Sequence, residues 1–188
     1  MNSDNNKLLI ENIGEKRFNH TIRVVETAEK LAKFYETNIE SAKIAAYFHD
    51  CGKFLDKSLI WSKAEKYGLD IEDEMRQSPQ IIHGFLAAKI IENDYGIEDI
   101  DILNSIRYHT TGRTNMSTLE KVIYISDYIE PGRSFEGVEI VRDMIYKNLD
   151  MALYTALNQT INNLIVNDIY IAKNSFLARN YYLLEYKR

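Results

Sequence analysis

The chain has 188 residues and a mass of 21.9 kDa, which suits one domain or two small ones. Its apolar fraction of 45% and charged fraction of 27% are typical of a globular protein, and its longest apolar run, Ile44–Phe48, is far shorter than the ~20 residues of a membrane span. The net charge of −5 argues against a protein whose main work is to grip nucleic-acid backbones.

Two helices are predicted in the first third of the chain. Apolar residues recur at helical spacing between His20 and Tyr35 and predict the first helix. The second is predicted over Ile39–His49. The pair Thr37-x-x-Glu40 has the pattern of a capping box at its start, and Gly52 is placed to end it.

The middle of the chain combines a predicted loop with two further helices. Residues 68–80, GLDIEDEMRQSPQ, are predicted to be a mobile loop. Pro79 suits a helix start, and the apolar positions that follow it keep helical spacing. The acids Glu98, Asp99 and Asp101 mark the N-terminus of the next helix, where negative charge is favourable.

Helical patterning continues to the C-terminus. Ser117-x-x-Glu120 is a second capping-box pattern and opens a helix that runs to about Ile129. One long helical pattern follows, with apolar residues at three- and four-residue steps: Ile161, Leu164, Ile165, Ile169 and Ala172. No repeat or flexible linker interrupts the chain, so the sequence predicts a single all-α domain over residues 1–188.

Histidine and aspartate side chains share faces with the apolar residues of these helices. The chain has four histidines: His20, His49, His83 and His109. Asp50 is adjacent to the second histidine, and Asp127 lies four residues after Ile123. Because residues three or four apart lie on one side of a helix, all six side chains can face one interior.

Two interpretations of these six residues compete. A single histidine on an apolar face is usually a core residue with one hydrogen-bond partner. Two buried carboxylates, however, are costly without a cation, and a bound metal would satisfy imidazoles and carboxylates together. Nitrogen and oxygen ligands without sulfur suit divalent first-row metals such as iron, manganese, cobalt or nickel.

The single cysteine, Cys51, restricts the redox chemistry of the chain. One thiol cannot form an internal disulfide or a thiolate zinc cage. The other six residues leave no histidine to activate it as a nucleophile, so it is interpreted as a buried spacer. Together with N-terminal residues that lack the pattern of a secretory signal, this predicts a cytoplasmic protein.

The order of the six residues resembles the HD-domain superfamily of metal-dependent phosphohydrolases. His20, the pair His49-Asp50, then His83, His109 and Asp127 reproduce the pattern H…HD…H…H…D on successive predicted helices. The resemblance implies that His20, His49, Asp50 and Asp127 hold one metal. It also implies that Asp50 bridges to a second metal held by His83 and His109.

Longer segments are similar to the YqeK family of bacterial HD-domain proteins. The similar segments are RFNHTIRV, YFHDCGKFL, IIHGFLAA, IRYHTTGR and ISDYIEPGR. They lie in a family-like core of about 15–145, ahead of a C-terminal helical extension, 148–188. Cys-Gly at 51–52 departs from the Tyr-Ala that the family often has. Membership would imply that the protein cleaves diadenosine tetraphosphate symmetrically into two ADP by attack of a metal-activated water.

Basic and hydroxyl side chains are candidates for holding the polyphosphate. Lys53, three residues after Asp50, is the first candidate, and Asp50 and Lys53 are predicted as the catalytic pair. The further candidates for substrate contacts are Arg133, Arg113, Arg17, Thr110, Thr111 and Gly112, with Arg107 as a weaker one. For each base the alternative is a solvated surface charge. For the segment after His109 the alternative is an ordinary helix C-cap and turn.

Other functions remain open at this point. Another HD-type activity, such as a nucleotidase, a phosphodiesterase or an alarmone hydrolase, would use the same metal ligands. A non-catalytic HD-type binding module is a third interpretation, although such a module would typically have lost some of the six residues. The expected partner is a dinucleoside polyphosphate or another nucleotide, with no nucleic acid and no membrane. A homodimer is left open.

Overall fold

The computed structural model describes residues 3–186, which form eleven α-helices and one 3-10 helix, with no strand in this range. This confirms the predicted all-α fold. The first six helices are α1 Ser3–Ile13, α2 Glu15–Phe34, α3 Ile39–Phe48, α4 Leu59–Lys66, α5 Asp73–Gln77 and, after the 3-10 helix Pro79–Ile81, α6 Ile82–Tyr95. The remaining five are α7 Ile100–Arg107, α8 Thr118–Ile129, α9 Val138–Ile145, α10 Leu149–Val166 and α11 Lys173–Tyr186.

Helices α2, α3, α7 and α8 pack against one another as the centre of the fold. Helix α6 lies against α7, and α10 covers α8 on the other side and contacts α9 and α11. Helix α3 is rich in alanine, and its fully buried Ala42, Ala45 and Ala46 let the neighbouring helices approach closely. Among the described helices, none combines the length and the apolar character needed to cross a membrane.

Two predicted capping details of α3 are wrong. The N-cap is Asn38, not Thr37, and its side chain accepts a hydrogen bond from the Ser41 amide at 2.9 Å. Gly52 does not end the helix, since α3 stops at Phe48. A Cβ on Gly52 would lie 2.3 Å from the His83 carbonyl oxygen, so glycine allows this loop to lie directly against α6.

Two predicted helix starts further along the chain are confirmed. Helix α7 begins among the predicted acids, and Asp99 serves in addition as its N-cap, because its carboxylate accepts from the amides of Asp101 and Ile102. At α8 both halves of the capping box are formed, because Ser117 accepts from the Glu120 amide and Glu120 accepts from the Ser117 amide. These caps satisfy amide groups that the first turn of each helix would leave unpaired.

The predicted loop at 68–80 contains regular structure. It holds α5 and most of the 3-10 helix, so Pro79 begins a 3-10 turn and α6 follows three residues later. Met75 is buried in a small second cluster with Ala64, Ile81, Ile82 and Ala172. Helix α5 is too short to show a recognisable helical period in the sequence, and tertiary packing stabilises this short helix.

The long C-terminal helical pattern is two helices. Helix α10 ends at Val166, and Asp168 has a left-handed φ of 52° that a continuous helix does not allow. Ile169 and Ala172 therefore lie in the connection to α11. The apolar spacing continues past the end of α10, but there it does not mark a helix face. Ala172 packs into the second cluster instead.

Candidate metal centre

The six predicted ligand residues converge in the centre of the fold. His20 lies within α2, His49 is the C-cap of α3 and Asp50 follows it directly. His83 is in the first turn of α6, His109 follows the end of α7, and Asp127 lies near the end of α8. Their ligand atoms form three overlapping triads, each within 4.8 Å: His20, His49 and Asp50; His49, His109 and Asp127; Asp50, His83 and His109.

Three of the imidazole rings are anchored in the same way. His49, His83 and His109 each place Nδ1 against the carbonyl oxygen three residues earlier, at 2.6, 2.6 and 2.7 Å. A carbonyl oxygen only accepts, so the ring proton is on Nδ1 and the Nε2 lone pair faces the cluster. Histidines that bind metals are oriented by this kind of hydrogen bond.

Asp50 stands between two groups of imidazoles. Its Oδ1 lies 3.3 Å from Nε2 of His83 and 3.5 Å from Nε2 of His109, and its Oδ2 lies 3.6 Å from Nε2 of His49. The two carboxylate oxygens thus face different ring nitrogens.

One ring nitrogen of the cluster lacks a protein partner. His49 Nε2 is buried without a hydrogen bond, whereas Asp50 Oδ1, which is also buried, forms an ion pair with Lys53 Nζ at 2.9 Å. The Nε2 atoms of His83 and His109 are only 2.9 Å apart. Two lone pairs at this distance repel each other, so a cation between the rings and Asp50 would stabilise the arrangement.

His20 is held by two carboxylates. Its Nε2 lies 3.1 Å from Asp127 Oδ1, and its Nδ1 lies 3.1 Å from Glu130 Oε1. Burial lowers the pKa of His20, but the hydrogen bonds to Asp127 and Glu130 outweigh burial and raise it. Glu130 was not singled out from the sequence, although it lies in the quoted segment ISDYIEPGR immediately before Pro131.

Glu130 is itself part of a buried network. Its carboxylate accepts from Arg23 Nε at 2.5 Å and from the Gly132 amide at 2.6 Å, in addition to its contact with His20. Burial raises the pKa of Glu130, but these donors lower it to about 2. The side chain is therefore an anion at neutral pH and orients His20 through the contact with its Nδ1 atom.

The protonation states of the cluster suit metal binding. Burial lowers the pKa of His49 to about 4, and burial together with the Lys53 charge lowers that of His83 to about 3, so both rings are neutral at pH 7. Burial raises the pKa of Asp50 and Asp127, but nearby imidazoles and bases outweigh it and hold both carboxyls well below the usual range. Neutral imidazoles and ionised carboxylates are the forms that coordinate metals.

Three of the predicted basic residues reach this cluster. Lys53 Nζ and Arg17 Nη1 lie 2.9 and 2.6 Å from the two oxygens of Asp50, and Arg133 Nη2 lies 2.5 Å from Asp127 Oδ1. Their side chains are between 33% and 40% exposed, so each base touches both the cluster and solvent. Charges in this position can meet an anionic substrate as it enters.

The predicted hydroxyl and turn residues divide into two groups. Thr110 Oγ1 lies 3.2 Å from His83 Nε2 and 3.1 Å from His109 Nε2, and so belongs to the cluster. Thr111 is buried, and its hydroxyl donates to the Gly112 carbonyl. Gly112 has a φ of 65° and packs against Leu157, as in an ordinary turn.

Two predicted arginines and Cys51 have other contacts. Arg113 donates to both oxygens of buried Glu120, at 2.6 and 2.7 Å, so the structure does not bring it to the cluster. Arg107 donates to Asn104. Cys51 is buried with Sγ 3.9 Å from the Ala87 carbonyl, and burial raises the pKa of its thiol, as befits a packing residue rather than a nucleophile.

Two cavities open beside the cluster. The first, the α8–α10 cavity, measures about 550 Å³ and is lined by cluster residues and by side chains from the two helices and the segment 133–136. The second, the α2 cavity, measures about 660 Å³ and is lined by bases, among them Lys16, Arg17 and Arg23, with His20 in its wall. Arg133 lines both cavities. The contribution of α10 was missed, because its sequence resembles only a generic helix.

Comparisons with known proteins agree with this geometry. The HD domain family model matches residues 17–132. The symmetrical bis(5'-nucleosyl)-tetraphosphatases of Staphylococcus aureus and Halalkalibacterium halodurans are each 40% identical to the chain; the alignments cover 94% and 96% of this chain and 91% and 96% of those proteins. A solved structure from Clostridium acetobutylicum, described as a predicted HD superfamily hydrolase involved in NAD metabolism, matches with a TM-score of 0.91 at 39% identity, over 98% of both chains.

Proposed function

Because this chain belongs to the HD-domain family, and within it to the symmetrical bis(5'-nucleosyl)-tetraphosphatases, we propose that it hydrolyses diadenosine tetraphosphate into two molecules of ADP. The observation that carries the proposal is the convergence of four imidazoles on the buried carboxylate of Asp50, with Asp127 beside them. This buried cluster is a divalent metal-binding site. The predicted family and activity class agree with the relatives.

We propose that the site holds two ions. His20, His49 and Asp127 would bind the first, His83 and His109 the second, and Asp50 both. The two Asp50 oxygens face different imidazoles, and this supports the division. The triad of His49, His109 and Asp127 does not follow it, because it combines ligands assigned to the first ion with one assigned to the second. Iron is the first candidate for the metal, followed by manganese, cobalt and nickel. Bound divalent ions would supply an acidified water and polarise the phosphoryl oxygen of the scissile bond.

The protein's own residues would position the polyphosphate. Lys53, Arg17 and Arg133 pair with cluster carboxylates, and bound cations would leave these bases free to contact phosphate oxygens. The hydroxyl of Thr110 is placed to donate to the same group. The leaving ADP is a stable anion at neutral pH, so these charges matter more than a proton donor.

The position of the cluster supports a symmetrical cut. Cleavage between the second and third phosphates requires the reacting centre to lie between two equal halves of the substrate. One cavity adjoins the cluster at His109 and Asp127, and the other adjoins it at His20. Each could receive one nucleotide half. The proposal also places the protein in the cytoplasm, which its one buried cysteine supports.

A product assay tests this function directly. Protein loaded with manganese or ferrous iron should convert diadenosine tetraphosphate to ADP alone, as measured by anion-exchange chromatography. Asp50→Asn should lower kcat more than ~100-fold and reduce the bound metal, since losing a group that merely supports a ligand already costs about 10–100-fold. The exposed Asp143→Asn is the matched control and should keep full activity.

Each outcome of the product assay contradicts a different part of the proposal. AMP plus ATP as products would contradict the symmetrical cut, and intact substrate with metal-loaded protein would contradict the proposed activity. Full turnover by Asp50→Asn, with circular dichroism showing a folded helical protein, would exclude Asp50 as a bridging ligand.

A further inference from the structure

We propose that the α8–α10 cavity binds the nucleoside of one ADP half, with the base stacked on Phe135. This inference rests on the proposed function, because it assumes that the phosphates of the same half reach the metal cluster. It adds a specificity-determining residue, Phe135, which lies two residues after the predicted substrate contact Arg133 and to which the sequence had assigned no role.

The cavity connects the cluster to apolar walls. Its volume of about 550 Å³ lies in the range of ~300–1,000 Å³ typical of small-molecule sites. His109, Thr110 and Asp127 form part of its lining, and Tyr128, Phe135 and Gln159 form another part. A molecule that fills it would thus have a polar end at the reacting centre and a flat apolar end against aromatic rings.

Phe135 has the features of a stacking residue. It is 41% exposed, although it lines a cavity and lies in the non-helical connection between α8 and α9. Its ring centroid is 5.0 Å from that of Tyr128, with the planes at 78°. A purine placed on this ring would cover apolar surface that is now wet. Stacking of a base on an aromatic side chain strengthens binding by roughly tenfold or more in nucleic-acid-binding proteins.

The wall that carries Phe135 is held in place before any ligand binds. Tyr128 Oη donates to Gln159 Oε1 at 2.6 Å, and Gln159 Nε2 donates to the Gly137 carbonyl at 3.3 Å. Arg142 Nη2 donates to the carbonyl oxygens of Glu130 and Arg133 at 2.8 and 2.9 Å. Both ends of the segment are therefore fixed to neighbouring helices, which reduces the entropy lost on binding.

The distribution of charge indicates which part of the nucleotide enters. The α2 cavity is lined by Lys16, Arg17 and Arg23, whereas the charged side chains of the α8–α10 cavity outside the cluster are Arg133 and Glu136. A polyphosphate would be attracted to the bases and repelled by the carboxylate of Glu136. The uncharged nucleoside is the part of the substrate that suits the aromatic end of the α8–α10 cavity.

The test compares a ligand that has a base with one that lacks it. Calorimetry on manganese-loaded protein would measure binding of ADP and of inorganic pyrophosphate to wild type and to Phe135→Ala. We expect ADP to bind about tenfold more weakly to the variant and pyrophosphate to bind within twofold of wild type. Phe135→Trp, which keeps an aromatic face, should restore ADP binding. Phe176→Ala, at a phenylalanine that is 55% exposed on α11, is the matched control and should change neither.

Kinetics give a second readout. The KM for diadenosine tetraphosphate should rise about tenfold in Phe135→Ala with kcat within about twofold, since the residue does not touch the reacting atoms. Equal losses for ADP and pyrophosphate, or no loss for ADP, would overturn the proposal. If wild type fails to cleave the dinucleotide, the proposed function is wrong, while the contrast between ADP and pyrophosphate still decides whether Phe135 binds a base.

Discussion

The surroundings of single residues in the cluster fix their protonation state and their orientation before a cation binds. His49 is neutral because burial disfavours its charged form, and the pKa of Asp50 stays low because the neighbouring groups, which include the charged Lys53, outweigh the same burial. Each imidazole presents Nε2 because Nδ1 is committed to a carbonyl oxygen or to Glu130. A metal therefore meets His49 and Asp50 in the charge states that bind it, and ring nitrogens that already face the cluster.

The role of Glu130 as a positioning residue gives the first residue-scale prediction. Glu130→Gln keeps the size of the side chain but removes the charge that pairs with Arg23 and orients His20. Metal affinity should fall about 10–100-fold, which is typical when a group that supports a ligand is changed. Titration against a chromophoric chelator measures this.

A control separates orientation from a general change in charge. Glu139→Gln removes an exposed carboxylate that pairs with Arg142 and should leave metal affinity unchanged. The assignment of Glu130 would be refuted if its variant bound metal within twofold of wild type while keeping the helical circular dichroism spectrum.

At the scale of helices, two glycines let the ligand-bearing elements approach one another. A Cβ on Gly52 would lie 2.3 Å from the His83 carbonyl oxygen, and one on Gly84 would lie 2.8 Å from the Arg107 carbonyl oxygen. The first contact brings the loop after Asp50 against α6, and the second brings α6 against the end of α7. The close spacing of His83, His109 and Asp50 follows from these two contacts.

Arg113 provides the prediction at this scale, because the structure pairs it with Glu120 in the first turn of α8 and not with the cluster. Arg113→Gln should destabilise the protein by about 1–3 kcal/mol, since Glu120 is 1% exposed and would lose its cationic partner. The KM for diadenosine tetraphosphate should stay within twofold. Urea denaturation and steady-state kinetics on the same preparation measure both quantities.

The contrasting variant is Arg133→Gln. This base touches Asp127 and lines both cavities, so its loss should raise KM and leave the free energy of unfolding nearly unchanged. If Arg113→Gln were fully stable but raised KM, Arg113 would be a substrate contact after all, as the sequence had suggested.

The fold brings all four histidines of the chain into one buried cluster, and this links stability to pH. In the folded metal-free protein the pKa values of His49 and His83 are about 4 and about 3, against ~6.5 in the unfolded chain. Between these values the unfolded chain binds more protons, so stability falls as pH falls from about 6.5 towards 4. The raised pKa of His20 acts in the opposite direction and offsets part of this loss.

We therefore expect the metal-free protein to lose on the order of 2–4 kcal/mol of unfolding free energy between pH 7 and pH 5. Urea denaturation after chelation measures it, and ordinary carboxyl groups titrate mostly below this window. With metal bound the loss should be steeper, because acid also displaces the ion from its imidazoles. A flat profile between pH 7 and pH 5 would show that the histidines are not buried as described.

The sequence by itself determined the fold class, the start of α7, the capping box of α8 and the set of six His and Asp residues in the cluster. The helical features depend on local patterns, because helical period and capping residues can be read from neighbouring positions, whereas the six residues were identified from their order along the chain and its resemblance to the HD-domain family. Only the tertiary structure decided that Arg113 pairs with Glu120, that Glu130 orients His20, and that α10 forms the wall of a cavity with Phe135. Such contacts join residues that no periodic pattern relates, since their distance is set by how whole helices pack.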